Sequence, residues 1–188
     1  MNEEQFNRAI ALLSNFKPRV EITLDEIPAP QKLAKFAYAL SADVSNGLIG
    51  DAEAELANGR FVILHEPGGQ DTWEGEFRCV TFLNADLETT EAEDPSLPEH
   101  GWTWLMKALE DNGCQYAAPS GTVTRAISHS FGKLSTASDG GEIEIRASWS
   151  PIISKPEDLV EHLEAWCNLL AEISYLQPIP EGVASFRR

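Results

Sequence analysis

Residues 140–151, GGEIEIRASWSP, alternate too strictly to be anything but an extended strand. Ile143, Ile145, Ala147 and Trp149 fall on one side and Glu142, Glu144, Arg146 and Ser148 on the other. A period of two with one apolar side is the mark of a strand buried on one face. A second alternating run precedes it, with Val123, Arg125 and Ile127 opposed to Thr122, Thr124 and Ala126. The connector carries Gly132, Gly140 and Gly141 among Ser and Asp residues, which suits a long turn. Residues 120–151 are therefore expected to form an antiparallel hairpin at the centre of a sheet whose other face meets water.

The remaining segments follow from the same periodicities. Apolar stripes at helical spacing predict helices over 3–14 (Phe6, Ile10, Leu13), 31–44 (Leu33, Phe36, Leu40, Val44), 101–112 (Leu105, Leu109) and 156–175 (Leu159, Leu163, Trp166, Leu170). Strands are expected over 19–27, 59–65 and 73–83, the last two joined by a turn at Pro67-Gly68-Gly69. Residues 49–58 read equally as a helical turn or a loop. Residues 86–100 hold Asp86, Glu88, Glu91, Glu93, Asp94 and Glu99 with no Lys or Arg, the composition of an exposed acidic loop. Residues 176–188 carry no regular pattern and read as an irregular tail. The predicted class is α+β: one domain over 1–188, opened by a helical segment at 1–18. It is built on a single, mostly antiparallel sheet of about five strands, with helices on one face in tandem helix-hairpin units.

Charge narrows the partners. A net charge of -16, with 14 scattered Lys and Arg against 30 Asp and Glu, repels phosphate backbones and argues against nucleic acid. No apolar run approaches the roughly 18 residues of a membrane span. The first residues, MNEEQFNRAI, lack a basic, apolar leader, so a cytoplasmic location is expected. Cys79, Cys114 and Cys167 stand far apart with no C-x-x-C pair, so neither a zinc ribbon nor a disulfide framework is indicated. Buried free thiols are expected, and no cofactor or metal.

No catalytic residue can be assigned. Ser128, His129 and Ser130 place hydroxyls beside an imidazole, but neighbours on a strand point to opposite faces, and no G-x-S-x-G elbow surrounds any serine. His65-Glu66 precedes a glycine turn without an H-E-x-x-H spacing. His162 has Trp166 one turn on, where a metal site would need a second ligand. Trp102 and Trp104 lie about 200° apart on a helix, so one of them should reach the surface. The candidate binding residues are Thr122, Thr124, Arg125, Arg146, His65 and Trp104. Three readings stay open. The first is a non-enzymatic protein- or peptide-binding module, with Arg125 and Arg146 as anchors on the wet face. The second is an enzyme or small-ligand sensor with Thr124, Arg125, His129 and His65 converging in a pocket. The third is a structural homodimer using a sheet edge or the Trp102 helix.

Four uncommon stretches carry a family likeness: Ile27-Pro28-Ala29-Pro30-Gln31, Gly101-Trp102-Thr103-Trp104-Leu105, Ser120-Gly121-Thr122-Val123-Thr124-Arg125 and Ile145-Arg146-Ala147-Ser148-Trp149-Ser150-Pro151. With them the chain resembles an actinobacterial family known as domain of unknown function three thousand, over nearly its whole length. The resemblance implies a bacterial cytoplasmic protein and supplies no activity, cofactor or catalytic residue. In the expected order of elements alone, the chain is also similar to the secretion-chaperone-like fold, whose members bind polypeptide segments and often dimerise. No sequence motif supports that second likeness.

Overall fold

The computed structural model describes residues 3–46, 55–134 and 140–177. In chain order the elements are α1 (Glu3–Ser14), β1 (Ile22–Glu26), β2 (Phe36–Ser45), β3 (Glu55–Gln70), β4 (Gly75–Leu87), α2 (Thr89–Ala92), α3 (Leu97–Asp111), β5 (Tyr116–Ser128), β6 (Gly140–Pro151) and α4 (Asp158–Ile173). They form one antiparallel six-stranded sheet in the order β1-β2-β3-β4-β6-β5. The expected α+β class with one antiparallel sheet holds, with six strands rather than about five.

The additional strand is β2, which stands where the sequence pattern predicts a helix over 31–44. Tyr38, Leu40, Ala42 and Val44 also fit a period of two, and all four are buried. Paired with β1 on one side and β3 on the other, the segment exchanges its own helical hydrogen bonds for two ladders. Tertiary pairing overrides local propensity here. The chain thus runs as a four-stranded meander before α2 and α3, rather than as two helix-hairpin units.

The reversal between β3 and β4 also sits elsewhere than expected. Gly68 (φ 94°) and Gly69 (φ 79°) adopt left-handed backbone inside β3, in a bulge between His65 and Gln70. The chain turns at Asp71–Trp73, a single 3-10 turn closed by Glu74 at φ 57°. The second alternating hairpin is displaced as well. β6 lies in the interior, between β4 and β5, and β5 forms the sheet edge. Residues 135–139 of its connector, like 47–54, which take in 49–54 of the ambiguous 49–58 segment, and 178–188 of the tail, fall outside the described residues.

The acidic segment at 86–100 is largely structured, because its carboxylates serve as caps. Glu88 and Glu91 form a reciprocal capping box around α2. Asp94 accepts hydrogen bonds from Ser96 N (2.8 Å) and Ser96 Oγ (2.6 Å) just before α3. Leu87, Ala92 and Leu97 turn into the core between them. α2 seats on β6 at Gly141, where an added Cβ would lie 2.4 Å from the Ala92 methyl.

α1, α3 and α4 cover one face. The core beneath them takes Ile22, Leu40, Val44, Phe61, Ile63, Cys79, Leu83, Ile143, Ile145 and Trp149 from the strands. The helices add Phe6, Leu13, Leu105, Leu109, Leu163, Trp166 and Leu170. Trp166 of α4 stacks on Phe61 with ring centroids 5.3 Å apart. On β5, Gly121 admits α3 to this face: an added Cβ would meet the Arg146 carbonyl at 2.5 Å and the Trp102 ring at 3.0 Å. Because the first of these is backbone, Gly121→Ala must part β5 from β6. We expect a loss of about 1–3 kcal/mol in urea unfolding and early amide exchange along β5. Unchanged stability would mean that β5 and α3 are looser than described.

Candidate functional site

The face away from the helices is open, and the register assigns its residues. Across the middle of the sheet Arg60, Phe82, Arg146 and Thr122 share one row, and Asn58, Asn84, Glu144 and Thr124 the next. Thr122, Thr124, Arg146 and Arg60 are exposed, and Val80 is 37% exposed between them. The Arg146 guanidinium lies over the Phe82 ring, 5.6 Å from its centroid, and pairs with Glu144 at 2.9 Å. The pairing holds Arg146 flat along the sheet.

At one end of this face lies a buried cation that sequence reading passed over. Arg78 of β4 is 9% exposed. Its Nη1 donates to the Ala118 carbonyl (2.9 Å) and Ser150 Oγ (3.0 Å), and its Nη2 donates to Ser120 Oγ (3.0 Å) and Ser148 Oγ (2.7 Å). Ser150 Oγ in turn donates to the Trp73 carbonyl. A β-bulge makes this geometry: Ala117 pairs with Ser150 and Ser120 with Ser148, so Ala118 and Pro119 oppose Trp149 alone. Ala118, at φ 47°, turns its carbonyl onto the guanidinium. The signal was present as serines on both strands at the outward parity, but nothing local tied them to Arg78, 40 residues or more away in the chain.

Of the six candidate binding residues, three gather on the open face: Thr122, Thr124 and Arg146. Arg125 does not join them. It belongs to the helix-side parity of β5, opposite Ile143, and donates to the Ala92 carbonyl at 2.7 Å. Its role is to tie β5 to α2, and it cannot pair with Arg146 around one anion. His65 is fully buried and stacks on Phe77 with centroids 4.3 Å apart, flanked by Phe6 and Phe36. Both its ring nitrogens lack a hydrogen-bond partner among the described residues, although Glu76 Oε2 lies 3.7 Å from Nε2. Burial lowers its pKa, against the pull of Glu76, so the ring stays neutral. Thr124, Arg125 and His65 therefore share no surface, which removes the expected pocket.

Trp104 is half-buried beside Lys107, Ala108, Asn168 and Leu169 in the crevice between α3 and α4, and Trp102 is half-buried against β5. Neither indole is fully at the surface: α3 places them on its two flanks, with Leu105 and Leu109 beneath. Cys79, Cys114 and Cys167 are free and buried. Burial pushes all three thiols up, Cys114 to about 12, so none supplies a thiolate near neutrality. Among the described residues no three His, Cys, Asp or Glu side chains gather as a metal-holding group, and no helix is long and apolar enough to cross a membrane.

A family model described as a protein of unknown function (DUF3000) matches residues 2–184. The chain belongs to this family. No curated protein and no solved structure matches it. For DUF3000 the match thus covers the sheet, its helices and the open face together, and it assigns no activity to any of them.

Proposed function

We propose that this DUF3000 protein is a non-enzymatic, cytoplasmic module of one α+β domain that holds an extended polypeptide segment by adding it as a further strand at the β5 edge. One observation carries the reading. β5 is a thirteen-residue edge strand, YAAPSGTVTRAIS, without a single acidic side chain, in a chain with 30 Asp and Glu. Edge strands are ordinarily kept short or charged to prevent such pairing. The opposite edge obeys that rule, since β1 has five residues and carries Asp25 and Glu26. From Ser120 onward β5 is blunted by neither length nor carboxylates.

The surroundings favour an incoming strand. On the helix side of the edge, Pro98, Glu99, Trp102, Thr103, Gly121 and Val123 border a shallow groove of about 410 Å³, whose Trp102 and Val123 would receive an apolar side chain. On the open side the same strand would meet Thr122 and Thr124. Main-chain bonds would supply affinity and these flanks specificity. The strongly acidic remainder of the surface favours a polypeptide over nucleic acid.

In an antiparallel strand, successive residues turn their N–H groups to opposite sides. Of Thr122→Pro and Val123→Pro, one therefore removes a bond to β6 and the other blocks the outer edge. The outer one should keep the wild-type circular dichroism spectrum. Random ten-residue peptides displayed on phage should enrich on the wild type, and the folded proline variant should bind the selected peptides at least about tenfold more weakly. Equal binding by both proteins would refute strand addition at β5. Light scattering separates a second copy from a peptide: a dimer that becomes monomeric in the proline variant would assign the edge to self-association.

A further inference from the structure

The Arg78 cluster leaves a donor unspent. Each of Ser120 Oγ and Ser148 Oγ already accepts an N–H from Arg78, and each hydroxyl owns one proton. The two oxygens are 3.3 Å apart, so one can donate to the other. The second proton has no place inside the pair. Neither hydroxyl is hydrogen-bonded to Ser150, whose own proton is directed at the Trp73 carbonyl. Among the described residues that second proton has no bonded acceptor, and Ser120 is exposed and Ser148 half-buried at the open face, where a ligand can take it.

Behind that proton stands a charge that no carboxylate neutralises at close range. None of the ion pairs among the described residues includes Arg78. Glu74 is the carboxylate that acts on it, and does so without forming a pair. A guanidinium seated among neutral dipoles polarises the hydroxyls that accept from it and makes them stronger donors outward. We infer that Ser120 and Ser148, backed by Arg78, form a binding site for a carboxylate carried by a docked polypeptide. A carboxylate only accepts hydrogen bonds and suits a charge-backed donor. The net charge of -16 selects the monoanion, because its long-range repulsion falls twice as heavily on a dianionic phosphate. The site lies at the start of the β5 edge, next to the bulge, so the inference rests on strand addition there and names the group the segment brings.

The test uses the full-length, isotope-labelled protein and sodium acetate as the probe. Acetate is titrated against chloride at constant ionic strength, with inorganic phosphate as a parallel arm. Saturable shifts confined to the Ser120 and Ser148 amides and the Arg78 side-chain N–H are expected, with phosphate binding more weakly than acetate. Ser120→Ala, at the exposed edge, should weaken acetate about fivefold, the equivalent of one hydrogen bond. Shifts that grow linearly and match those of chloride would overturn the site, and tighter binding of phosphate would overturn its assignment to a carboxylate. Wild-type titration decides the matter even if Arg78→Gln fails to fold. Peptide capture at β5 with no acetate site would sink this inference and leave strand addition standing. Acetate binding with no peptide capture would leave a carboxylate site in place and overturn the docked strand as its bearer.

Discussion

Trp149→Ala is expected to lose about 5 kcal/mol in urea unfolding at pH 7, the largest cost of any single replacement considered. Trp149 is fully buried on β6, between Phe61 on β3 and His162 on α4. Its Nε1–H donates to His162 Nδ1 at 3.0 Å, which makes this indole the polar tie between the sheet and α4. Truncation would open a ring-sized cavity and leave a buried imidazole nitrogen without its donor. Against a total stability of about 5–15 kcal/mol, that loss approaches unfolding, so milder variants make the sharper comparison. Trp166 is equally buried, but its Nε1 has no hydrogen-bond partner among the described residues. Trp149→Phe should therefore cost about 1–3 kcal/mol more than Trp166→Phe, the difference being the orphaned acceptor on His162. Equal losses in the two phenylalanine variants would show that the indole–imidazole bond contributes nothing.

Acid should undo the same contact from its other end. Burial lowers the His162 pKa to about 4, from an ordinary value of 6.5, and the nearby Asp158 charge and its bond to the Gln115 backbone offset only part of that. A depressed pKa in a base means that the unfolded chain binds the proton first. The stabilisation is fully present above pH 6.5 and is lost as pH falls from 6.5 to about 4. The interval corresponds to about 3 kcal/mol. His65, also held low by burial, adds to the loss in the same direction. Glu21, which Arg19 holds below its usual value of 4.5, adds its own loss only from about pH 4.5 downward, at the acid end of this window. Urea unfolding at half-unit steps between pH 7 and 4 checks the slope. His162→Asn, whose side-chain oxygen can take over the Trp149 bond without titrating, should flatten it. A stability profile level from pH 6.5 to 4.5 in the wild type would contradict both assignments.

These expectations depend on positions that differ in how readable they are. Trp149 announces itself: the run from Glu142 to Pro151 has one solution, and its apolar parity is fully buried in the folded chain. α1, α3 and α4 follow from stripes of Leu and aromatic residues that are meaningless except against a core. β2 was misread because Leu40 and Val44 satisfy both a four-residue and a two-residue repeat, and only the availability of two neighbouring ladders decides between them. The acidic segment was misread because a carboxylate that caps a helix looks, in one dimension, like one that dissolves a loop.

The candidate site divides along the same line. Thr122, Thr124 and Arg146 reach the open face because parity along a strand is a local property, legible from alternation alone. Arg125 went to the other side for the same reason, once β5 was paired to β6. Arg78 was invisible, since a guanidinium becomes a site only when three serines and a carbonyl from two other strands close around it.

Alternation and spacing along the chain were sufficient to specify an antiparallel α+β protein with an acidic surface and one uncovered sheet face, because those signals live within a few residues of each other. Folding in three dimensions alone decided that β5, not β1, became the long free edge, and that a cation was buried beneath the serines of β5 and β6. Strand order and bulges join residues distant in sequence through backbone bonds, and backbone bonds leave no mark on residue type.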